Sequence, residues 1–195
     1  MVANGYLARS GLDNQIADAI AMFEARYNGS EDNYFAENAA TVTTAQGVDA
    51  IDLPADFKEV VSLYLTGVGP VQLVSLQALR DAGYCGQDTP YLAALYPGNK
   101  LKLGPTPSGA FPLEVVYDAK VTPLTQPSDT NWLLTEYPFL YVYGSLMFML
   151  SFLQDADRRA EIEGNYQQFI AELQGKKAAK KLGRTPQMRT RRGNP

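Results

Sequence analysis

The sequence predicts an α+β protein: a small helical bundle, formed by an N-terminal helix and two C-terminal helices, with an inserted antiparallel β-rich lobe and an extended basic C-terminal tail. Apolar residues recur at three- and four-residue spacing near both ends, whereas in the middle they alternate with polar residues. The last 21 residues contain eight bases and no acid. We therefore divide the chain into an N-terminal helix with its link (1–38), the β-rich lobe (39–121), a C-terminal helical pair (122–174) and a basic tail (175–195).

An amphipathic helix is predicted over residues 10–27. Ser10 or Asp13 is suited to cap it, because a side-chain oxygen at that position accepts a hydrogen bond from a free backbone N–H of the first turn. A segment of turn-forming residues, 28–30, ends the helix. One apolar stripe along it is formed by Leu12, Ile16, Ile20, Phe23 and Tyr27.

Short strands separated by turns are predicted for the middle of the chain, and their spacing favours antiparallel hairpins. The strongest strand patterns cover residues 57–65 and 113–121, and a short helix over 76–82 is capped by Ser75. Further strands are predicted at 40–45, 50–53, 71–74, 91–96 and 100–103. In the 57–65 strand, one face is predicted to contain Phe57, Val61, Leu63 and Leu65.

The most apolar part of the chain, residues 131–153, is predicted to be a long helix. Thr135 is suited to cap it and Pro138 is tolerated in its first turn. The uncharged part, 137–153, is shorter than the roughly 20 residues that a membrane-spanning helix needs. A helix this apolar has more surface than its own subunit can bury, so part of it is predicted to contact a neighbouring subunit. The predicted interface residues are Leu140, Leu146, Phe148 and Leu150.

A third helix follows, with Asp155 or Asp157 as its cap. Its apolar stripe contains Ile162, Tyr166, Phe169, Ile170 and Leu173. The chain from 180 to 195 shows no apolar periodicity and is predicted to be unstructured in isolation.

The composition argues against most enzyme chemistries. The chain contains no histidine, which excludes the Ser–His–Asp and Cys–His arrangements and the usual zinc and iron sites. Its one cysteine, Cys85, has no base near it in sequence to lower the thiol pKa, and it forms no internal disulfide. The segment Gly67-Val68-Gly69 lacks the third glycine of a dinucleotide-binding loop and is predicted to be a turn. We predict no catalytic, cofactor-binding or metal-binding residue.

Two pairs of carboxylates deserve comparison with acid–base or metal sites. These are Asp155 with Asp157, and Glu161 with Glu163. Both lie near a predicted helix start or on an exposed helical face. Acids near a helix start interact favourably with the helix dipole. We therefore interpret them as structural.

The charge is polarised along the chain. Residues 1–174 carry 21 acids and nine bases, a net charge of −12, whereas the tail carries +8. Such a tail is either a solvated end or a segment that binds an acidic surface: another subunit, nucleic acid or a membrane. The spacing of its lysines also permits a basic continuation of the third helix. The predicted partner-binding residues are Lys176, Lys177, Lys180, Lys181, Arg184, Arg189, Arg191 and Arg192.

Several segments, in order, resemble the bacteriophage head-to-tail adaptor, or connector, family, which forms the ring beneath the portal. They are the N-terminal amphipathic helix, the segment 52–57 that enters a strand, the segment 101–107, the strand 114–117, and residues 130–134 leading into the long helix. The match covers residues 10 to 173 and leaves out the basic tail.

This resemblance implies a structural virion protein without catalysis. It implies a homo-oligomeric ring, usually of twelve copies, that binds the portal protein and a distal tail or nozzle protein and lets DNA pass through its lumen. It also implies a place at the head–tail junction after assembly in the host cytoplasm, without a membrane partner or cofactor. We assign portal binding to the basic tail and contact with the next tail component to the β-rich lobe.

Two other functions remain open from the residues alone. One is a nucleic-acid-binding accessory or packaging protein that uses the basic tail, whose binding weakens steeply with salt. The other is an enzyme with a carboxylate site, which requires two acids to converge in a cleft.

Overall fold

The computed structural model describes residues 3–84, 86–126, 128–153 and 156–184. The chain forms two compact units: unit 1 contains residues 1–34 and 121–195, and unit 2 contains residues 35–120. Unit 1 is helical and unit 2 is rich in strands, so the predicted α+β class is confirmed. The elements in chain order are α1 (Ala3–Gly29), β1 (Ala36–Thr43), β2 (Ala50–Asp52), β3 (Phe57–Leu65), β4 (Gly69–Pro70), β5 (Gln72–Leu73), α2 (Leu76–Asp81), β6 (Gln87–Asp88), β7 (Leu92–Tyr96), β8 (Lys100–Gly104), β9 (Thr106–Pro107), β10 (Pro112–Ala119), α3 (Trp132–Glu136), α4 (Pro138–Leu153) and α5 (Ala156–Arg184).

Helix α1 begins before the predicted start at residue 10 and packs on α4 through one stripe. Phe23 and Tyr27 are fully buried, as the sequence pattern predicts, and Ala19 completes the stripe one turn earlier. The Phe23 ring meets the Tyr141 ring edge-on, with the ring centroids 5.0 Å apart. Ile16, which was predicted to belong to the same stripe, is 40% exposed.

The apolar stretch 131–153 is not one helix but two, α3 and α4. Asn131 caps α3, since its side-chain oxygen accepts a hydrogen bond from the Leu134 N–H at 2.8 Å. The predicted cap, Thr135, lies inside α3 instead, and its hydroxyl donates to the Asn131 carbonyl at 2.9 Å. Tyr137 has φ −133° and ψ 58°, outside the helical region. Pro138 explains this break, because a proline disfavours helical geometry in the residue before it and then starts α4 well.

Helix α5 extends further than predicted. Tyr166, Ile170 and Leu173 are buried along the predicted stripe. The helix then continues through the basic residues to Arg184. The prediction that the chain is unstructured from residue 180 is therefore wrong for 180–184, and the basic helical continuation is the observed alternative. Residue 155, one of the two candidate caps, lies outside the described residues, as do 185–195.

Unit 2 contains two four-stranded sheets with an apolar core. One sheet has the order β1-β10-β3-β4 and the other β2-β8-β7-β5. The main pairs are antiparallel as predicted, but β5 pairs with β7 and β6 with β9 in parallel. The side chains of the core come from both sheets, and its fully buried members include Leu65, Leu101, Leu113 and Val115.

Strand β3 has the predicted bounds, and three of the four residues predicted for one face, Phe57, Leu63 and Leu65, are buried in the core, whereas Val61 is only half-buried. The register of β3 with β10 shifts twice, so that Val61 and Lys58 are each passed over in the pairing. Val60 packs against the core in place of Val61. A prediction that assumes strict alternation of side chains cannot include a bulge, because the extra residue moves the following side chains to the other face.

Local turn and cap chemistry in unit 2 follows the sequence closely. The Ser75 hydroxyl accepts a hydrogen bond from the Ala78 N–H at 3.1 Å and caps α2. Gly67 has φ +80°, a conformation that favours glycine, so the 67–69 segment is the predicted turn. Asn99, with φ +59°, closes the β7–β8 hairpin, and its side-chain amide donates to the Pro54 carbonyl at 2.9 Å.

Candidate interaction surfaces

An apolar groove of about 410 Å³ lies in unit 1 along α1 and α4. The connection before α3 and the middle of α3 complete its wall. None of the described residues contributes a charged side chain to its lining, so a polar ligand would gain little there. Its lining residues are Ile16, Ala19, Ile20, Leu124, Leu134, Tyr141, Val142, Ser145, Leu146 and Met149.

The outer face of α4 leaves large apolar side chains in water. Phe139 is 64% exposed and Val142 is 51% exposed. With Leu146 and Met149 they recur at spacings of three, four and three residues, which places them on one face of the helix. Contiguous exposed apolar surface of this kind is typical of a protein–protein contact.

The four predicted interface residues do not share one environment. Leu140 is fully buried within unit 1, so it has no surface left for a neighbour, and its assignment to the interface is withdrawn. Leu146, Phe148 and Leu150 are partly exposed. Phe139 and Val142 are the more exposed residues of α4 but are not among the four, although their spacing from Leu146 places them on the same helical face. Contact of this face with a neighbouring subunit stays a prediction.

A buried polar cluster supports the groove. The Glu24 carboxylate, 3% exposed, accepts hydrogen bonds from the Leu124 N–H at 2.9 Å and from the Tyr141 hydroxyl. Asn131 donates from its side-chain amide to the Tyr141 oxygen at 3.2 Å and to the Thr122 carbonyl at 2.8 Å. Burial, together with the bond to Glu24, raises the pKa of Tyr141 well above the usual tyrosine range. The cluster therefore ties the 121–131 connection to α1 and α4.

One polar atom on the groove side is not satisfied. The Ser145 hydroxyl is buried and has no hydrogen-bond partner within the part of the chain that the structure describes. The indole N–H of Trp132 is also buried and has no hydrogen-bond partner among the described residues. Such groups are rare in folded proteins, because a buried donor without a partner costs about 1–3 kcal/mol.

The second candidate surface is the basic end of α5. Three of its lysines contact residues elsewhere in unit 1, outside α5. The Lys176 ammonium donates to the Tyr137 hydroxyl at 2.8 Å and lies 4.7 Å from the centre of its ring. This hydrogen bond raises the pKa of Lys176. Lys177 donates to the Glu31 carbonyl, and the Lys180 ammonium lies 5.2 Å from the centre of the Tyr34 ring.

The rest of the predicted basic surface is less fully described. Lys181 and Arg184 belong to α5, but their side-chain positions are not described. Arg189, Arg191 and Arg192 lie outside the described residues, as does Cys85. The structure therefore places five of the eight residues on α5, and partner binding stays a prediction for all eight.

The described residues provide little for a catalytic or metal site. Glu161 and Glu163 are exposed on α5, in line with a structural interpretation. No cluster of three or more potential metal ligands occurs among the described residues. The described helices also include none that is both long and apolar enough to cross a membrane.

A helical unit with an open apolar groove and a basic helix end, interrupted in sequence by a strand-rich unit, places the chain in the α+β class. Within that class, the family described as "SU10 adaptor protein" matches residues 3–192, almost the whole chain. The chain therefore belongs to this family of bacteriophage adaptor proteins, and the resemblance to head-to-tail adaptors is confirmed. None of the curated proteins matches the chain.

Membership of this family is the basis for three coarse statements about function. The chain is a phage adaptor, a structural component that points to the virion as its location. Adaptors assemble with portal and tail proteins, so the expected partners are proteins. A structural role of this kind also argues for a protein that is not an enzyme.

Proposed function

We propose that the chain forms a homo-oligomeric ring that joins the portal to the tail and lets DNA pass through its lumen. The observation that supports this best is the exposed apolar face of unit 1. On this face Val142 is 51% exposed and lies beside the apolar groove. A neighbouring subunit placed on this face would remove the apolar surface from water. Burial of that kind is the main driving force of association.

The copy number of twelve comes only from the family resemblance. The geometric requirement is weaker: a ring needs a heterologous contact, in which the face of one subunit meets a different face of the next. The groove and the outer face of α4 would supply one side of that contact. Leu146 lines the groove, whereas Phe148 and Leu150 do not line it and remain proposed interface residues by their partial exposure alone.

A matched pair of substitutions tests the groove. Val142→Asp places a charge on the proposed contact, and Val48→Asp places one on a valine of unit 2 that is 45% exposed. We expect Val142→Asp to lose rings in negative-stain images of the chain mixed with the portal of its own virus, while Val48→Asp retains them. Equal ring yields for the two variants would contradict the groove assignment, and the absence of rings for the unsubstituted chain would contradict the ring itself.

We propose that the basic residues of 176–192 bind the portal. Lys176, Lys177 and Lys180 already contact unit 1, so residues 185–195, with three arginines, are the part that can be removed without loss of those contacts. A chain that ends at residue 184 should bind the portal at least tenfold more weakly and keep its melting temperature. Unchanged affinity of this truncated chain would refute the assignment.

Passage of DNA through the ring is supported by charge. Residues 1–174 carry a net charge of −12, and a negative wall repels phosphate and prevents the DNA from adhering. A lumen lined by lysine and arginine in an image of the assembled ring would contradict this proposal. We propose contact of unit 2 with the distal tail or nozzle protein as the remaining function of that unit.

The alternative, a nucleic-acid-binding accessory or packaging protein, depends on the same basic segment. The ammonium groups of Lys176 and Lys180 lie over tyrosine rings, which makes them less available for phosphate. A gel-shift assay at low salt decides between the two, since a phosphate-binding tail gives an affinity that falls steeply as salt rises.

A further inference from the structure

Strand β1 forms the long open edge of its sheet. In the order β1-β10-β3-β4, the described part of the chain supplies a partner strand on only one side of β1. It is eight residues long, whereas the edge strands β2, β4 and β5 have two or three residues. An open edge of this length is a template for pairing with another strand.

The direction of the backbone groups follows from one hydrogen bond. The Thr44 N–H donates to the Phe111 carbonyl of the β10 side at 2.9 Å. In an antiparallel pair the bonded residues alternate, so the even-numbered residues of β1 bond to β10 and the odd-numbered ones face outward. The outward N–H of Ala39 is satisfied by the Asn38 side chain at 2.9 Å. The outward groups of Thr41 and Thr43 have no strand partner among the described residues.

This edge lacks the features that usually prevent pairing. Residues 36–43 contain no proline and no base, and their only charge is Glu37. The register between β1 and β10 runs through eight pairs without a bulge. By contrast, the part of β3 that β4 does not cover, before Tyr64, has two register shifts and carries Lys58 and Glu59. Register shifts and charged residues are features that protect an open edge.

The pattern of side chains on β1 is compatible with a second copy of β1 as the added strand. Ala40 and Val42 lie on the core side of the sheet and are only partly buried, because the sheet ends there. Thr41 and Thr43 lie on the opposite side and are exposed. A strand added at this edge therefore needs apolar residues on one face and polar residues on the other, and β1 itself has this pattern.

We propose that two copies of the chain pair antiparallel through β1, with Thr41 of each copy facing the other across a twofold axis. In this register Ala40 faces Val42 of the second copy on the core side, and the half-buried edge of both cores is covered. The outward N–H of each Thr41 bonds to the carbonyl of the other. The two Glu37 carboxylates end up about eight residues, or about 26 Å, apart along the strands, so they do not repel.

This contact is distinct from the ring. A twofold contact closes on itself and cannot generate a ring, which needs a heterologous interface. The β1 pair therefore forms between free subunits or between two rings. It depends on unit 2 and not on the groove of unit 1, so each can fail without the other.

Thr41→Pro tests the pairing because it removes the outward N–H, and proline is accepted on the open side of an edge strand. Thr41→Val is the matched control, since it keeps the N–H. In sedimentation velocity over a range of concentrations, we expect the unsubstituted chain and Thr41→Val to form dimers. Thr41→Pro should dimerise at least about tenfold more weakly, because both central hydrogen bonds are lost.

Thr41→Lys is a second variant in case the proline perturbs the strand, because it places two like charges opposite each other at the twofold axis. Weaker dimers for both variants, with unchanged circular dichroism, support the proposal. A chain that is monomeric at all concentrations, or dimers that survive in Thr41→Pro and Thr41→Lys, overturns it. Rings that form on the portal with Thr41→Pro leave the proposed function intact in either case.

Discussion

At the scale of single residues, Gly144 determines how closely α1 and α4 approach. A Cβ atom at this position would overlap ring carbons of Phe23, which is buried and cannot move aside. In the sequence Gly144 suggests only a weak point in an apolar helix. Its actual role depends on which residue of another helix lies opposite, and periodicity within one helix contains no such information.

Gly144→Ala should lower the free energy of unfolding by about 1–3 kcal/mol, the usual cost of overpacking a core. Urea unfolding followed by circular dichroism measures this change. Gly164→Ala in α5 is the control, because nothing lies within 4 Å of its added Cβ and alanine favours a helix by roughly 0.5–1 kcal/mol. A Gly144→Ala chain as stable as the Gly164→Ala chain would contradict the close approach of the two helices.

Tyr117 makes unit 2 sensitive to alkaline pH. Its burial, and the hydrogen bond that its hydroxyl donates to Asp56 at 2.9 Å, raise its pKa from 10.0 to about 12. Because the pKa is higher in the folded state, the resulting stabilisation is complete below about pH 10 and is lost as the pH rises through 12. Urea midpoints should therefore fall across this window, and less steeply in Tyr117→Phe. A Tyr117→Phe chain with the same pH dependence would show that other groups cause the loss.

At the scale of secondary-structure elements, local chemistry was predicted better than packing. Ser75 was identified as the cap of α2 because the capping hydrogen bond lies within four residues. The apolar pattern of 131–153 predicts one helix with Thr135 as its cap, because apolar content alone does not show the break at Tyr137 or the capping role of Asn131. The position of Val61 was missed because a bulge depends on the partner strand.

The basic end of α5 should contribute to the stability of unit 1. A chain that ends at residue 175 loses the contacts of Lys176, Lys177 and Lys180 with Tyr137, Glu31 and Tyr34. We expect its melting temperature to fall by a few degrees, whereas a chain that ends at residue 184 melts like the full chain. Differential scanning calorimetry distinguishes the two. Equal melting temperatures for both truncations would show that these contacts contribute nothing measurable.

At the scale of the whole molecule, the order of helices and strands was enough to predict the α+β class and the insertion of a strand-rich segment between helical ones. The candidate surfaces were predicted less well. The sequence predicts an interface position for Leu140, which is fully buried, and does not single out Phe139 and Val142, which are exposed. The composition of an apolar helix indicates that most of its surface is buried in contacts. Which of its faces its own subunit covers depends on the three-dimensional arrangement of α1 and α5.

The last prediction concerns the independence of unit 2. Its first and last strands are adjacent, with Ala36 paired to Ala119, so the segment 35–120 begins and ends at one place. Its main cluster of buried residues, from Ile51 to Ala119, is built from unit 2 alone. We therefore expect residues 35–120, expressed alone, to fold and to unfold cooperatively in urea. Leu113→Ala, at a fully buried core position, should lower the stability of this fragment by about 2–5 kcal/mol. A fragment without a cooperative transition, or one indifferent to Leu113→Ala, would mean that unit 2 requires unit 1 in order to fold.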